Sequence, residues 1–246
     1  METGHEKNVK NFETVIIILV SLGVIYSPSQ ALILLPALQA KLLEAKDAIA
    51  AVDAKEAEKS VAVDEQQEEF LDLDKYAVNI KRTAEVEIND AAFTKDLQSI
   101  VNKFRSPGKR SRTNTSGSAE DEDGNGDTRG GRSTSQRSYD MQINHLAAII
   151  ALLKTKAGAY KTNDAEYTIA AIETRLAALE AKNNAGKNAG IALGLAQDAR
   201  DEILYNPDTG VLKLVRLIKL QLARKPGKQS AAYQQINALN FVRKRG

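Results

Sequence analysis

One apolar stripe occurs twice in this chain. Leu35, Leu38, Leu42, Ala45, Ile49 and Val52 step by three and four residues, and Ile169, Ile172, Leu176 and Leu179 repeat the start of that stripe 134 positions later. Such spacing gathers side chains on one face of an α-helix, which turns about every 3.6 residues. The flanking residues repeat as well. Residues 11–20 resemble residues 144–153, Tyr26 matches Tyr160, and Ala31 matches Ala165. The repeat predicts an all-α fold by internal duplication, with a helix, a turn and a long amphipathic helix made twice.

Composition agrees with helix over sheet. Hydrophobic residues make up 43% of the 246, aromatics only 5%, Trp is absent and Pro occurs five times. Ala and straight-chain residues dominate, and these lose little rotamer freedom in a helix. The first half continues with a helical region from 61 to 104, with Phe70, Leu73, Ala77 and Ile80 on one face and a break expected near Asn89-Asp90. The second continues with a helix over 191–204, the turn Asn206-Pro207-Asp208-Thr209-Gly210, and a basic amphipathic helix over 211–224. Each half closes on the same tripeptide, Pro107-Gly108-Lys109 and Pro226-Gly227-Lys228. The expected architecture is an internally duplicated helical bundle, with three to four helices in each of two halves, residues 1–106 and 139–246. Residues 107–138 lie between them. They are rich in Ser, Gly, Arg and Asp, can bury no apolar area, and read as a disordered charged linker.

The stretch 14–40 carries no charge and opens with Val15-Ile16-Ile17-Ile18-Leu19-Val20 after Lys7 and Lys10. It could serve as the apolar core of a signal peptide or as a membrane-inserted hairpin. Tyr26-Ser27-Pro28-Ser29-Gln30 splits it into helix, turn and helix, with Ser27 as expected cap and Pro28 in the first turn. The equivalent hairpin in the second half carries Lys154, Lys156, Lys161, Asp164 and Glu166, so it faces water. By analogy, the first hairpin reads as a more buried version of the same element.

Chemistry-bearing residues are few. There is no cysteine, which excludes disulfides and thiolate chemistry and fits a reducing compartment. His5 and His145 are the only histidines. His5 falls at a terminus expected to fray. His145 lacks the glutamate three positions earlier that a di-iron helix pair needs, because Gln142 stands there. Glu68-Glu69 and Asp72 with Asp74 read as a solvated helix face. Lys109 and Lys228 lack the upstream glycine of a phosphate loop. Asn114-Thr115-Ser116 matches a glycosylation sequon, relevant only in a secreted protein. Gly186, Gly190 and Gly194 repeat every four residues and predict either a close helix crossing or a loop. No metal, cofactor, catalytic group or small-molecule substrate is expected.

Charge is unevenly spread, although the net charge is only +2. Residues 44–96 hold fifteen acidic and seven basic side chains. Residues 211–246 hold no acid and nine bases: Lys213, Arg216, Lys219, Arg224, Lys225, Lys228, Arg243, Lys244 and Arg245. The basic set is a candidate contact for the acidic stretch of the same or another chain, for an anionic membrane, or for nucleic acid. Tyr233 and Phe241 are the only rings near it in sequence, which gives base stacking little support.

Several short words are similar to an uncharacterised family of bacterial all-helical proteins. They are Tyr26-Ser27-Pro28-Ser29, Ser135-Gln136-Arg137-Ser138-Tyr139-Asp140, Leu204-Tyr205 with Gly210-Val211, and Ser230 with Tyr233. The resemblance implies a helical architecture over most of the chain and no particular activity or site.

The sequence therefore leads to a non-enzymatic helical scaffold or self-associating structural protein, acting through protein–protein contacts in the cytoplasm. The alternatives are a membrane-associated or exported protein that inserts hairpin 14–40, and a nucleic-acid binder that uses residues 211–246.

Overall fold

The computed structural model describes residues 4–104 and 138–242, and these are helical with no strand among them. In chain order the helices are α1 (Gly4–Ser21), α2 (Leu35–Phe70), α3 (Leu73–Ile88), α4 (Ala91–Phe104), α5 (Tyr139–Lys154), α6 (Ile169–Tyr205), α7 (Val211–Leu222) and α8 (Ala231–Ala238). Short 3-10 turns at Ala31–Ile33 and Ala165–Tyr167 precede α2 and α6. The expected disordered linker lies outside the described residues except for Ser138, whose side chain caps α5; the sequon, Lys109, Arg243, Lys244 and Arg245 also lie outside them.

The chain forms two compact units, each drawn from both sides of residues 107–138. Unit 1 is Met1–Val61 with Lys187–Gly246, and unit 2 is Ala62–Gly186. The units are therefore not the two sequence halves. In unit 1, α1 packs on α7 and α8, and the 3-10 turn before α2 packs on α7. In unit 2, α5 packs on α4, and the 3-10 turn before α6 packs on α3. Each unit joins the amino-terminal hairpin of one half to the carboxy-terminal helices of the other.

Burial explains why these segments hold together. Unit 1 is built on Phe12, Val15, Leu19, Leu38, Leu214 and Ile218, and unit 2 on Leu73, Ile80, Leu97, Leu146, Ile149 and Ile172, all essentially inaccessible. Each such side chain contributes roughly 1.5–3 kcal/mol. Exposed ion pairs such as Lys46–Glu13 at 2.6 Å contribute at most about 1 kcal/mol. The apolar stripes therefore decide the fold. Leu38, Ala45 and Val52 are buried in α2, as are Ile172 and Leu179 in α6, while Leu35, Leu42, Ile49, Ile169 and Leu176 pack at the core edges.

The helix ends differ from the sequence expectation at three places. The helix after the first hairpin starts at Leu35, so its first-turn proline is Pro36 rather than Pro28. The reason is a locked loop: the Tyr26 hydroxyl donates to the Ile33 carbonyl at 2.7 Å, and both residues are buried. The second hairpin has the same clamp, Tyr160 to the Tyr167 carbonyl at 2.7 Å. Next, α2 runs on to Phe70, where Asp72 adopts a left-handed φ of 59° and starts a new helix. Finally, α6 passes unbroken through all three glycines to Tyr205. The expected break at Asn89-Asp90 is present. Asn89 is left-handed with φ 48°, and the Asp90 carboxylate accepts from the Ala92 and Phe93 amides at 3.0 and 3.1 Å.

The turn between α6 and α7 requires its glycine. Asn206 Oδ1 accepts from the amides of Asp208 and Thr209 at 2.8 and 2.9 Å. This folds the backbone so tightly that a β-carbon on Gly210 would lie 2.6 Å from Asn206 main-chain atoms.

Candidate functional site: a basic cleft on unit 1

Helix α7 has two faces. Val211, Leu214, Val215, Ile218 and Leu222 are buried. Lys213, Arg216 and Lys219 follow the same three-residue step on the flank. They line a cleft of about 960 Å³ together with Lys228, Tyr233 and Phe241, and among the described residues no acidic side chain lines it. Burial lowers the Lys219 pKa below the usual lysine value.

The far wall is the segment after α8, and buried Asn8 holds it. Asn8 Nδ2 donates to the Val242 carbonyl at 2.8 Å, and the Val242 amide donates to Asn8 Oδ1 at 2.8 Å. Asn11 Nδ2 donates to the Asn240 carbonyl at 2.9 Å. At the base, Tyr205 lines the cleft, and its hydroxyl lies 2.9 Å from His5 Nδ1. His5 is thus bonded within α1 rather than frayed. Ser230 caps α8 by accepting from the Tyr233 amide at 3.3 Å, which positions the Tyr233 ring.

The predicted basic set divides in three. Lys213, Arg216, Lys219 and Lys228 come together in the cleft. Arg224 lines a smaller hollow of about 320 Å³ beside the first hairpin, and its guanidinium donates to Gln221 Oε1 at 3.2 Å. Lys225 follows it in the turn Ala223–Gly227. The last three bases lie outside the described residues. None of the six described cations makes an ion pair among the described residues. The acidic stretch uses other partners: Lys41 holds Glu44, Lys55 holds Glu58, Lys182 holds Glu65 and Arg175 holds Glu69.

The three glycines separate as well. A β-carbon on Gly186 would meet Gln66 Oε1 at 2.9 Å, whereas none at Gly190 or Gly194 would find a neighbour within 4 Å. Close packing is confined to Gly186, where the buried Gln66 and Asn183 amides meet. Buried His145 lies edge-on to Phe104, with centroids 5.6 Å apart. Of the paired carboxylates, Glu69 binds Arg175 at 2.6 Å and Asp72 binds Lys75 at 2.6 Å. Among the described residues no group of three or more His, Asp or Glu could hold a metal ion, and no helix is long and apolar enough to cross a membrane.

Asn8 was not singled out from the sequence, and Tyr205 entered only as part of the word Leu204-Tyr205, with no site role. Asn8 carries a legible signal, because it stands in the buried stripe of α1 with Phe12, Val15 and Leu19. A polar residue in such a stripe needs a partner. Chemically, the cleft offers cations and hydrogen-bond donors to an anion, beside three aromatic rings. No family model, curated protein or solved structure matches the chain. The functional reading therefore rests on the site's own chemistry.

Proposed function

We propose that this chain is a non-enzymatic, internally duplicated helical protein that self-associates through charge, as a structural or scaffold protein of the cytoplasm. The observation that carries the reading is the set of cations around α7 with no acidic partner among the described residues. A cationic surface that the described residues leave unneutralised selects an anionic partner and steers the encounter. A second copy supplies one, because Asp53, Glu56, Asp64, Glu68 and Asp74 are exposed.

The duplication supports the same reading. The two hairpins share a tyrosine clamp in equivalent positions, and each unit exchanges its hairpin with the other half. A single-copy ancestor with this exchange would complete its fold only by pairing with a second copy, a low-cost route to a dimer. Self-pairing would then be the property from which the chain arose.

Light-scattering mass across a salt series tests the proposal. Assembly at low salt, lost as screening shortens the reach of charge, is the expected result. The triple variant K213E/R216E/K219E should remain a single chain throughout. A wild-type monomer at every salt concentration would overturn it.

Binding of nucleic acid is favoured by one observation, the presence of Tyr205, Tyr233 and Phe241 in the same cleft as four cations. A gel shift with single-stranded RNA would show a salt-sensitive complex if this holds, and no complex if it does not.

A further inference from the structure

The first hairpin leaves its apolar side chains in water. Val24 is 95% exposed and Ile25 48%, in the turn that follows Gly23 with its φ of 52°. Leu32 and Leu34 are 41% and 42% exposed around the 3-10 turn, and Ile17 and Val20 are exposed on α1. This corrects the expectation that the hairpin is the more buried of the two.

The fold does not require these residues. The second hairpin makes the same tyrosine clamp, and at the positions 134 further on it carries Gly158, Ala159, Glu166 and Thr168 in place of Val24, Ile25, Leu32 and Leu34. No large apolar side chain of the second hairpin is strongly exposed. One geometry therefore accepts small and polar residues in one copy and large apolar ones in the other. Exposed apolar side chains scattered singly mean little, but a contiguous group marks a contact surface.

What lies beside the group indicates the partner. The carboxy-terminal end of α7 abuts the hairpin, where Leu217, Leu220 and Arg224 share a hollow with Ser29, Gln30 and Ile33. Leu220 is 60% exposed there, and Lys225 follows Arg224. Residues 14–40 contain no charge and residues 211–246 no acid. The flanking acids Glu13 and Glu44 are held by Lys46 and Lys41. An exposed apolar tip beside a helix end that carries cations and no acid is the pattern of a segment that lies in the interface of an anionic bilayer.

We propose that the tip of the first hairpin, Val24, Ile25, Leu32 and Leu34, together with Leu220, Arg224 and Lys225, docks this protein on an anionic lipid surface without crossing it. The apolar side chains enter the headgroup region, and the two cations meet lipid phosphate and carboxylate. This surface adjoins the basic cleft at Leu220, which lines both hollows, but Lys213 and Arg216 line the cleft alone, so variants of those two probe self-association apart from docking.

Co-flotation of the full chain with vesicles tests the proposal. Wild type is expected to float with phosphatidylcholine vesicles that contain phosphatidylserine and to remain behind with pure phosphatidylcholine. V24D/I25D should lose flotation, and R224E/K225E should weaken partition by about thirtyfold or more. K213E/R216E should float as wild type does, whatever its mass in the salt series. A wild type that stays behind with both vesicle types, or a V24D/I25D variant that floats normally, would overturn the proposal. Because the chain has no Trp, Val24→Trp supplies a second readout. Its emission should shift to shorter wavelength on anionic vesicles, and unchanged emission would count against docking through the tip.

Discussion

Gln66 and Asn183 meet through a buried side-chain hydrogen bond of 2.8 Å between two helices. Asn183 passes the chain on, donating to Asp140 at 2.6 Å. Ion pairs flank the contact, an exposed one from Glu65 to Lys182 at 2.8 Å and a half-buried one from Glu69 to Arg175 at 2.6 Å. The pairings run in opposite senses along α2 and α6, so the two helices are antiparallel where they cross in unit 2. A buried amide pair costs desolvation and returns it only when both partners are present. It therefore fixes one register for this crossing.

The three glycines of α6 should respond differently to alanine. Gly186→Ala pushes Gln66 away from Asn183 and should destabilise the protein by about 1–2 kcal/mol. Gly190→Ala and Gly194→Ala meet open space and should stabilise it by about 0.5–1 kcal/mol through helix propensity. Urea unfolding of the three single variants reads the sign of each.

The tyrosine clamps predict an alkaline transition. Burial pushes the hydroxyls of Tyr26, Tyr76 and Tyr160 up to about 12, against 10 in the unfolded chain. Their contribution is complete below pH 10 and declines between pH 10 and 12, because only the unfolded state ionises freely there. Y26F/Y160F should cost about 1–3 kcal/mol at pH 8 by orphaning the Ile33 and Tyr167 carbonyls. The same variant should show a shallower fall in urea midpoint from pH 9 to pH 11.

Removing the Asn8 amide should open the cleft. Asn8→Ala leaves both main-chain groups of Val242 without their partner, at a cost of about 1–3 kcal/mol. Faster amide exchange over 239–242, with α3 and α4 unchanged, is the expected signature. Uniform acceleration over the chain would show that the contact only supports the global fold.

Cutting the chain between its halves should not separate them. Each unit combines segments from both sides of residues 107–138. A protease site engineered after Ser118, once cleaved, should leave two fragments that co-elute in native conditions and part in urea. Fragments that elute separately without denaturant would contradict the exchanged arrangement.

Much of the local structure was legible in the sequence. The three–four stripes of α2, α6 and α7 were apparent, as was the break at Asn89-Asp90. Periodicity is a local property and needs no knowledge of the partner. The helix starts were less legible, since Pro36 and Pro28 both sit after a plausible break and only the buried Tyr26–Ile33 bond decides between them. Continuity through Gly186, Gly190 and Gly194 was hidden for a similar reason, because tertiary packing overrides a propensity cost of about 1 kcal/mol per glycine.

The sequence by itself determined that this protein is helical, that its first-hairpin pattern recurs, and that α7 has one apolar and one cationic face. Tertiary structure alone decided that each hairpin packs on the helices of the opposite half, that only one of three glycines is tight, and that Asn8 closes the wall of the basic cleft. The physical reason is range. A stripe is read within one turn of helix, but the choice between equivalent partners, with stripes alike in both halves, depends on side chains more than a hundred residues apart.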